Sequence, residues 1–353
     1  MTLRTLRTLG DLVSLGVVDA AHAHDLAPVI NAYPMAIPLA LAALIDASDP
    51  ADPIARQYLP STQELDQTSS ERDDPIGDVR HAPVEGIVHR YADRALLKVV
   101  HICPVYCRFC FRREMVGPGK ESNLSPDALD MALAYIARTP QLNEIILTGG
   151  DPLILAPHRI AELTARLSSI PHIRKIRWHT RVPVVEPGWI TSELVDAMQS
   201  ATAKVIVAVH ANHPREITDA ATNAITRLSG AGIELLSQSV LLRGVNDDVG
   251  TLDALLRGFE RVGVALYYLH HADLAPGTTR FRTTIRRGRE LMAALATERP
   301  AAGRPTYVLD LPGGWSKVNL MTDAARQVSE RHWRLRDDTG RWHDYEEDNA
   351  LFG

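Results

Sequence analysis

The chain's three cysteines, Cys103, Cys107 and Cys110, fall within one eight-residue window of a 353-residue sequence, spaced C-x3-C-x2-C. Three thiolates at that spacing can hold three irons of a cubic 4Fe–4S cluster and leave the fourth iron without a protein ligand. A zinc site would need a further donor such as His101. Structural zinc sites usually bring their ligands as two separated pairs, and no second pair exists in this sequence. An odd count at local spacing is a poor disulfide framework. Simple burial of small apolar thiols would scatter them along the chain. The spacing therefore favours an open iron–sulfur cluster.

Two other segments carry chemistry. In TGGDP (148–152), Gly149 and Gly150 permit close backbone approach, and Asp151 behind them can meet an ammonium group. Taken alone, the segment reads as a plain strand-to-helix turn. LPGGWSK (311–317) places Lys317 just after a glycine-rich bend. Its ordinary reading is an exposed loop lysine. Its chemical reading is an amine that condenses with an aldehyde such as pyridoxal phosphate (PLP), a reaction that partial desolvation of the amine favours. A phosphate would call for arginine, and HRYADR (89–94) supplies Arg90 and Arg94.

These residues need a frame. Strand-like runs occur at 95–101, 144–148, 173–178, 204–210, 233–239 and 264–270, separated by helical patterns such as 214–229 and 249–262. Ser125 and Pro126 mark a further helix start, running to about 138. Six strand–helix units argue for a parallel sheet, an open (β/α)6 partial TIM barrel of α/β class. Chemistry in such barrels sits at the C-terminal strand ends. The cysteines, Gly149–Asp151, the 179–181 triplet His-Thr-Arg, His210 and Gln238 all follow or end strands. The expected organisation is an N-terminal helical extension (1–75), the barrel (76–300) and a short C-terminal segment (301–353) with one more strand at 304–310. The tail from Ser329 has no assigned role. The stretch 29–45, interrupted by Asn31, Pro34 and Pro38, is short for a membrane span and reads as buried helical turns. A formal net charge of −5 with scattered arginines makes nucleic acid an unlikely partner. Free thiols and an N-terminus without a signal-peptide run suit a cytoplasmic protein with no membrane association.

With Phe109 before its third cysteine, the motif resembles that of the radical S-adenosylmethionine (SAM) superfamily. There the methionine end of SAM chelates the open iron, and the reduced cluster cleaves SAM to a 5′-deoxyadenosyl radical. The chain as a whole resembles the lysine 2,3-aminomutase family. The likeness runs through YPMAI (33–37), HRYADR, CPVYCRFCFRR, LTGGDPL, HTRVPVVEP, HANHPREI, SQSVLLRGVND, YYLHHADLAPGTTRFRT and LDLPGGWSK, in order.

That resemblance implies a PLP-dependent conversion of L-lysine to β-lysine by 1,2-migration of the amino group. It makes Lys317 the PLP Schiff-base residue and assigns Arg90, Tyr91 and Arg94 to the PLP pocket. It places Gly149, Gly150, Asp151, His210 and Gln238 near SAM. Arg112 would grip the substrate carboxylate, while Asp273 and Asp310 bind the side-chain ammonium. Two carboxylates at a barrel mouth do need a cation between them. Each contact is worth roughly 4 kcal/mol at 4 Å and an effective dielectric of 20, before desolvation. The implied partners are L-lysine and an electron donor such as flavodoxin or ferredoxin.

Relatives with a longer C-terminal region carry extra cysteines for a structural zinc. This chain has none to spare, so a homo-oligomer, if formed, is expected to assemble without it. The alternatives are the same reaction serving elongation factor P, a 2,3-aminomutase for another amino acid, and a non-catalytic iron–sulfur protein.

Overall fold

A computed structural model describes residues 5–117, 122–300 and 303–348. Nine strands form one curled sheet whose spatial order follows the sequence. They are β1 (Ile87–Tyr91), β2 (Arg94–Val100), β3 (Glu144–Gly149), β4 (Lys175–Thr180), β5 (Lys204–His210), β6 (Glu234–Leu241), β7 (Ala265–His271), β8 (Thr306–Asp310) and β9 (Lys317–Asn319). Strands β2 to β8 run parallel, while β1 and β9 pair antiparallel at the two edges. Six helical crossovers join the parallel strands, so the (β/α)6 partial barrel is present, with β8 as a seventh parallel strand.

Five of the six crossover helices begin where a side chain can satisfy a free amide, while the sixth starts at Pro157 behind Ala156. Ser125, Thr191, Thr218, Asp248 and Thr284 each accept a hydrogen bond from the first turn. Apolar residues at helical spacing, such as Leu129, Leu133 and Ile136 or Ile160, Leu163 and Leu167, are buried. Each such side chain contributes about 1.5–3 kcal/mol of transfer energy. Leu12, Ile54 and Tyr58 join the same apolar cluster as the strands. Along β6, buried residues alternate with half-buried ones, and the half-buried Gln238 and Val240 face an internal cavity.

Several local expectations change. The helix read at 214–229 is a short 3-10 turn, Pro214–Glu216, followed by a helix at Asp219–Gly230. Glu216 folds back onto the backbone amides of Asn212 and His213, and Thr218 then caps the helix. The 29–45 stretch is only partly helical. A helix ends at Ala32, Ile37–Pro38 pairs with Thr5–Leu6, and one turn follows at Leu39–Ala42, because Pro34 and Pro38 disfavour a continuous helix. HRYADR is the β1–β2 hairpin rather than a segment before the first strand. The tail forms a separate antiparallel sheet: β10 (Ala325–Gln327), β11 (His332–Arg336) and β12 (Trp342–Glu346). Among the described residues no helix is long and apolar enough to cross a membrane.

Candidate active site

A cavity of about 410 Å³ lies inside the curled sheet, and it is lined by the three cysteines, Lys317 and every residue the family likeness assigned to the site, whereas His101 does not line it. The three cysteines stand on the loop after β2. The glycines of β3 hold that loop. Gly150 N donates to Val100 O at 2.6 Å, and Asp151 N donates to Ile102 O at 3.1 Å. A β-carbon on Gly149 (φ +109°) would lie 2.3 Å from Val100 O, and one on Gly150 would lie 2.1 Å from Ile102 O. The close approach these glycines permit is thus first of all to the cysteine loop itself. The loop's Arg108 and Arg113 are anchored on the buried Glu64, with shortest contacts of 2.6 and 2.5 Å. Burial alone would raise the Glu64 pKa, yet Arg108, Arg113 and Arg280 hold it below its ordinary value.

Burial pushes all three thiols up, Cys107 to about 11 despite the opposing charge of Arg181. Iron binding there must therefore displace protons. Among the described residues no three His, Cys, Asp or Glu side chains converge as ligands of a single ion. A cubic cluster does not require convergence on one point, since each thiolate binds a different iron.

Asp151 does not present a free carboxylate. Oδ1 accepts from Thr180 Oγ1 (2.7 Å) and Leu153 N (3.1 Å), and Oδ2 accepts from Arg181 N (2.7 Å). Oδ2 keeps acceptor capacity beside that hydrogen bond. The carboxylate chiefly ties the end of β3 to the end of β4.

The opposite part of the cavity is built from charges. The 311–317 bend packs on the loop at 76–78 so tightly that a β-carbon on Gly77 would fall 2.4 Å from Gly313 C, and one on Gly314 would fall 2.6 Å from Ile76 O. Lys317 opens β9 directly across from Asp310, and its Nζ donates to Asp310 Oδ2 at 2.5 Å. His270 Nδ1 is 3.3 Å from the same oxygen, and Arg90 Nη1 is 3.8 Å from Oδ1. Burial opposes ionisation of Asp310, but Lys317 and His270 keep its pKa well below the usual carboxylate range. Asp273, beyond β7, faces the cavity without a hydrogen bond from the described residues. Burial and the charge of Asp310 raise its carboxyl to about 8. The cation beside the two aspartates is thus the chain's own Lys317.

Arg112 donates Nε to Asp78 Oδ2 at 2.9 Å and Nη1 to Thr148 Oγ1 at 3.3 Å. Arg90 lies 3.8 Å from the other Asp78 oxygen. Burial would raise the Asp78 pKa, but Arg112 and Arg90 hold it low. Arg94 pairs with Asp93 at 2.9 Å near Tyr91. Gln238 Nε2 is 3.0 Å from His270 Nε2, and the rings of His179 and His210 lie 5.8 Å apart. Burial lowers both of those imidazoles, His210 to about 3, so each is neutral at ordinary pH. Sequence reasoning missed Asp78 and His270. His270 could have been found by extending the strand-end rule to β7. Nothing local marks Asp78, because its role depends on two arginines distant in the chain.

Along this cavity His179 Nε2 is buried without a hydrogen-bond partner among the described residues, whereas Tyr91 reaches the Lys317 backbone and His210 reaches the Gln238 side chain. Unpaired polar groups are costly unless a ligand meets them.

The model of the Radical SAM superfamily matches residues 97–255. The chain is 37% identical over 306 residues to the L-lysine 2,3-aminomutase of Clostridium subterminale, covering 87% of this chain and 73% of that one. This chain belongs to the lysine 2,3-aminomutase family. A putative L-lysine 2,3-aminomutase of Aquifex aeolicus is 36% identical, covering 89% of this chain and 85% of its own. The Escherichia coli K12 L-lysine 2,3-aminomutase is also 36% identical, covering 82% and 83%. As a radical SAM member of this family, the chain is implied to carry a 4Fe–4S cluster and SAM. The three free thiols and the cavity they line, with the buried and unpartnered His179 Nε2, fit such guests.

Proposed function

We propose that the chain is a PLP-dependent 2,3-aminomutase that converts L-lysine to β-lysine. The observation that carries this reading is that Cys103, Cys107 and Cys110 line the same cavity as Lys317. Lys317 would hold PLP through its ε-amine, with Arg90, Arg94 and Tyr91 toward the phosphate and ring. A 4Fe–4S cluster, SAM and PLP bound together there would supply radical chemistry and an electron-delocalising ring for the migration of nitrogen from the α to the β carbon.

The chain's own residues bind, orient and exclude. Arg112, fixed by Asp78 and Thr148, presents a guanidinium to the α-carboxylate. With Lys317 committed to PLP, Asp310 would be freed from its shortest cationic contact. Asp310 and Asp273 then form an anionic pocket suited to a substrate ammonium. The two ends fit an α-amino acid with a cationic side chain. Gln238 and the neutral imidazoles of His179 and His210 offer hydrogen bonds without adding charge. The enclosing sheet limits access of water and oxygen to a radical.

Borohydride reduction of PLP-loaded protein followed by peptide mass spectrometry tests the cofactor assignment. A pyridoxyl group on Lys317 is expected, and one carried on another lysine would refute it.

A further inference from the structure

The cysteine end holds a fixed positive charge that the reading above leaves unused. Arg181 follows β4, and its guanidinium is buried. Nη2 donates to Glu216 Oε1 and to Tyr58 Oη, both at 2.6 Å, while Nη1 reaches Cys107 Sγ at 3.4 Å. The rings of Tyr58 and Phe109 lie 5.4 and 5.3 Å from its central carbon. Glu216 is fully buried. Its Oε1 also accepts from Tyr58 at 2.7 Å, and its Oε2 accepts the amides of Asn212 and His213 at 2.7 and 2.8 Å. The guanidinium thus joins that carboxylate through Nη2 and the sulfur through Nη1. Arg108 and Arg113 are turned toward Glu64 instead. Among the described residues, Arg181 is the side chain that hydrogen-bonds a cysteine sulfur.

We propose that Arg181 sets the reduction potential of the cluster held by the three cysteines, keeping it higher through a charged hydrogen bond to the Cys107 sulfur. The inference rests on the cysteines being cluster ligands. The reaction concerned is the uptake of one electron by the oxidised cluster from a low-potential one-electron donor, a reduced flavin or iron–sulfur protein. No bond breaks and no proton moves, since a guanidinium is not deprotonated in a protein. The added electron places negative charge on the cluster and its thiolates. A cationic donor in a dry environment therefore stabilises the reduced state more than the oxidised one. Glu216 and Tyr58 serve as positioning residues that hold the guanidinium in place.

The test is an EPR-monitored potentiometric titration of anaerobically reconstituted protein, with cluster content measured by iron and sulfide assay. Arg181→Gln is expected to lower the reduced-to-oxidised ratio at a fixed potential at least tenfold, about 59 mV for a one-electron couple. Arg181→Lys should fall between that variant and the parent. Glu216→Gln leaves the guanidinium uncompensated and should shift the potential the opposite way, upward. A purely structural role would not give shifts of opposite sign. An Arg181→Gln protein with a full cluster and an unchanged potential overturns the proposal. If that variant holds no cluster, Arg181→Lys decides: a lowered potential upholds the proposal, and an unchanged or raised one overturns it. A parent protein that takes up no cluster would remove the cysteine assignment together with this inference.

Discussion

The two ends of the cavity are built on different principles. The cysteine end is a matter of backbone geometry. Gly149 and Gly150 let one strand end touch the loop behind the next, and Glu64 anchors two of the loop's arginines. The lysine end is a matter of charge. Asp78, Arg90, Arg112, His270, Asp273, Asp310 and Lys317 come from separate stretches of chain, and the charges of Arg90, Arg112 and Lys317 act on the protonation of the three aspartates and His270. The first end should be broken by bulk, the second by changes in charge, and each largely without damage to the other.

The largest expected effect is at the charged end. Lys317→Ala is expected to abolish turnover while leaving bound iron at the parental level, measured by product analysis beside an iron assay. Because Asp310 then loses its 2.5 Å partner, the melting temperature should fall, and added L-lysine should restore part of it. Gly150→Ala attacks the other end. Its new methyl group meets the Ile102 carbonyl, which must shift at a cost of about 1–3 kcal/mol or more. Most bound iron should be lost while PLP is still taken up at Lys317, as read by absorbance of the iron-depleted protein.

A smaller effect is expected from Asp273→Ala, which should lower kcat/KM for lysine by about 10²-fold through loss of one charged contact in a desolvated site. An unchanged value would show that the ammonium binds elsewhere.

The mildest perturbation is pH. With its carboxyl held up at about 8, Asp273 is mostly protonated at neutral pH, and binding an ammonium beside it releases that proton. Lysine affinity, measured by calorimetry, should rise with pH by at most about tenfold per unit and level off above about 8. Stability runs the other way. Between the ordinary value of 3.8 and about 8 the native state keeps a proton that the unfolded chain has released, so this group lowers stability as pH rises through that window.

The same contrast explains how much could be read in advance. The cysteine spacing, the TGGDP turn and the alternating strands are local signals with a fixed period, and β2 to β7 lie within two residues of the ranges read from the sequence. The antiparallel β1 was missed because HRYADR reads as a charged segment until its pairing with β2 is seen. The tail sheet was missed because its short strands are mixed aromatic and charged, and they gain their apolar face only against β8 and the Ile285–Glu298 helix. The charged end was accessible through family likeness, which supplied Arg112, Asp273 and Asp310. The likeness did not supply Asp78, or the pairing of Lys317 with the very aspartate meant for the substrate. No local pattern encodes a contact between two charges whose neighbours are fixed by the fold.

The central claim is that a cluster on the cysteine loop and an amine on Lys317 serve one reaction in one cavity. Its most direct test is anaerobic incubation of the cluster- and PLP-loaded protein with L-lysine, SAM and a one-electron reductant, with the amino-acid products resolved by chromatography. The account predicts β-lysine at many turnovers per SAM. Fully loaded protein that cleaves SAM yet returns every lysine unchanged would contradict it.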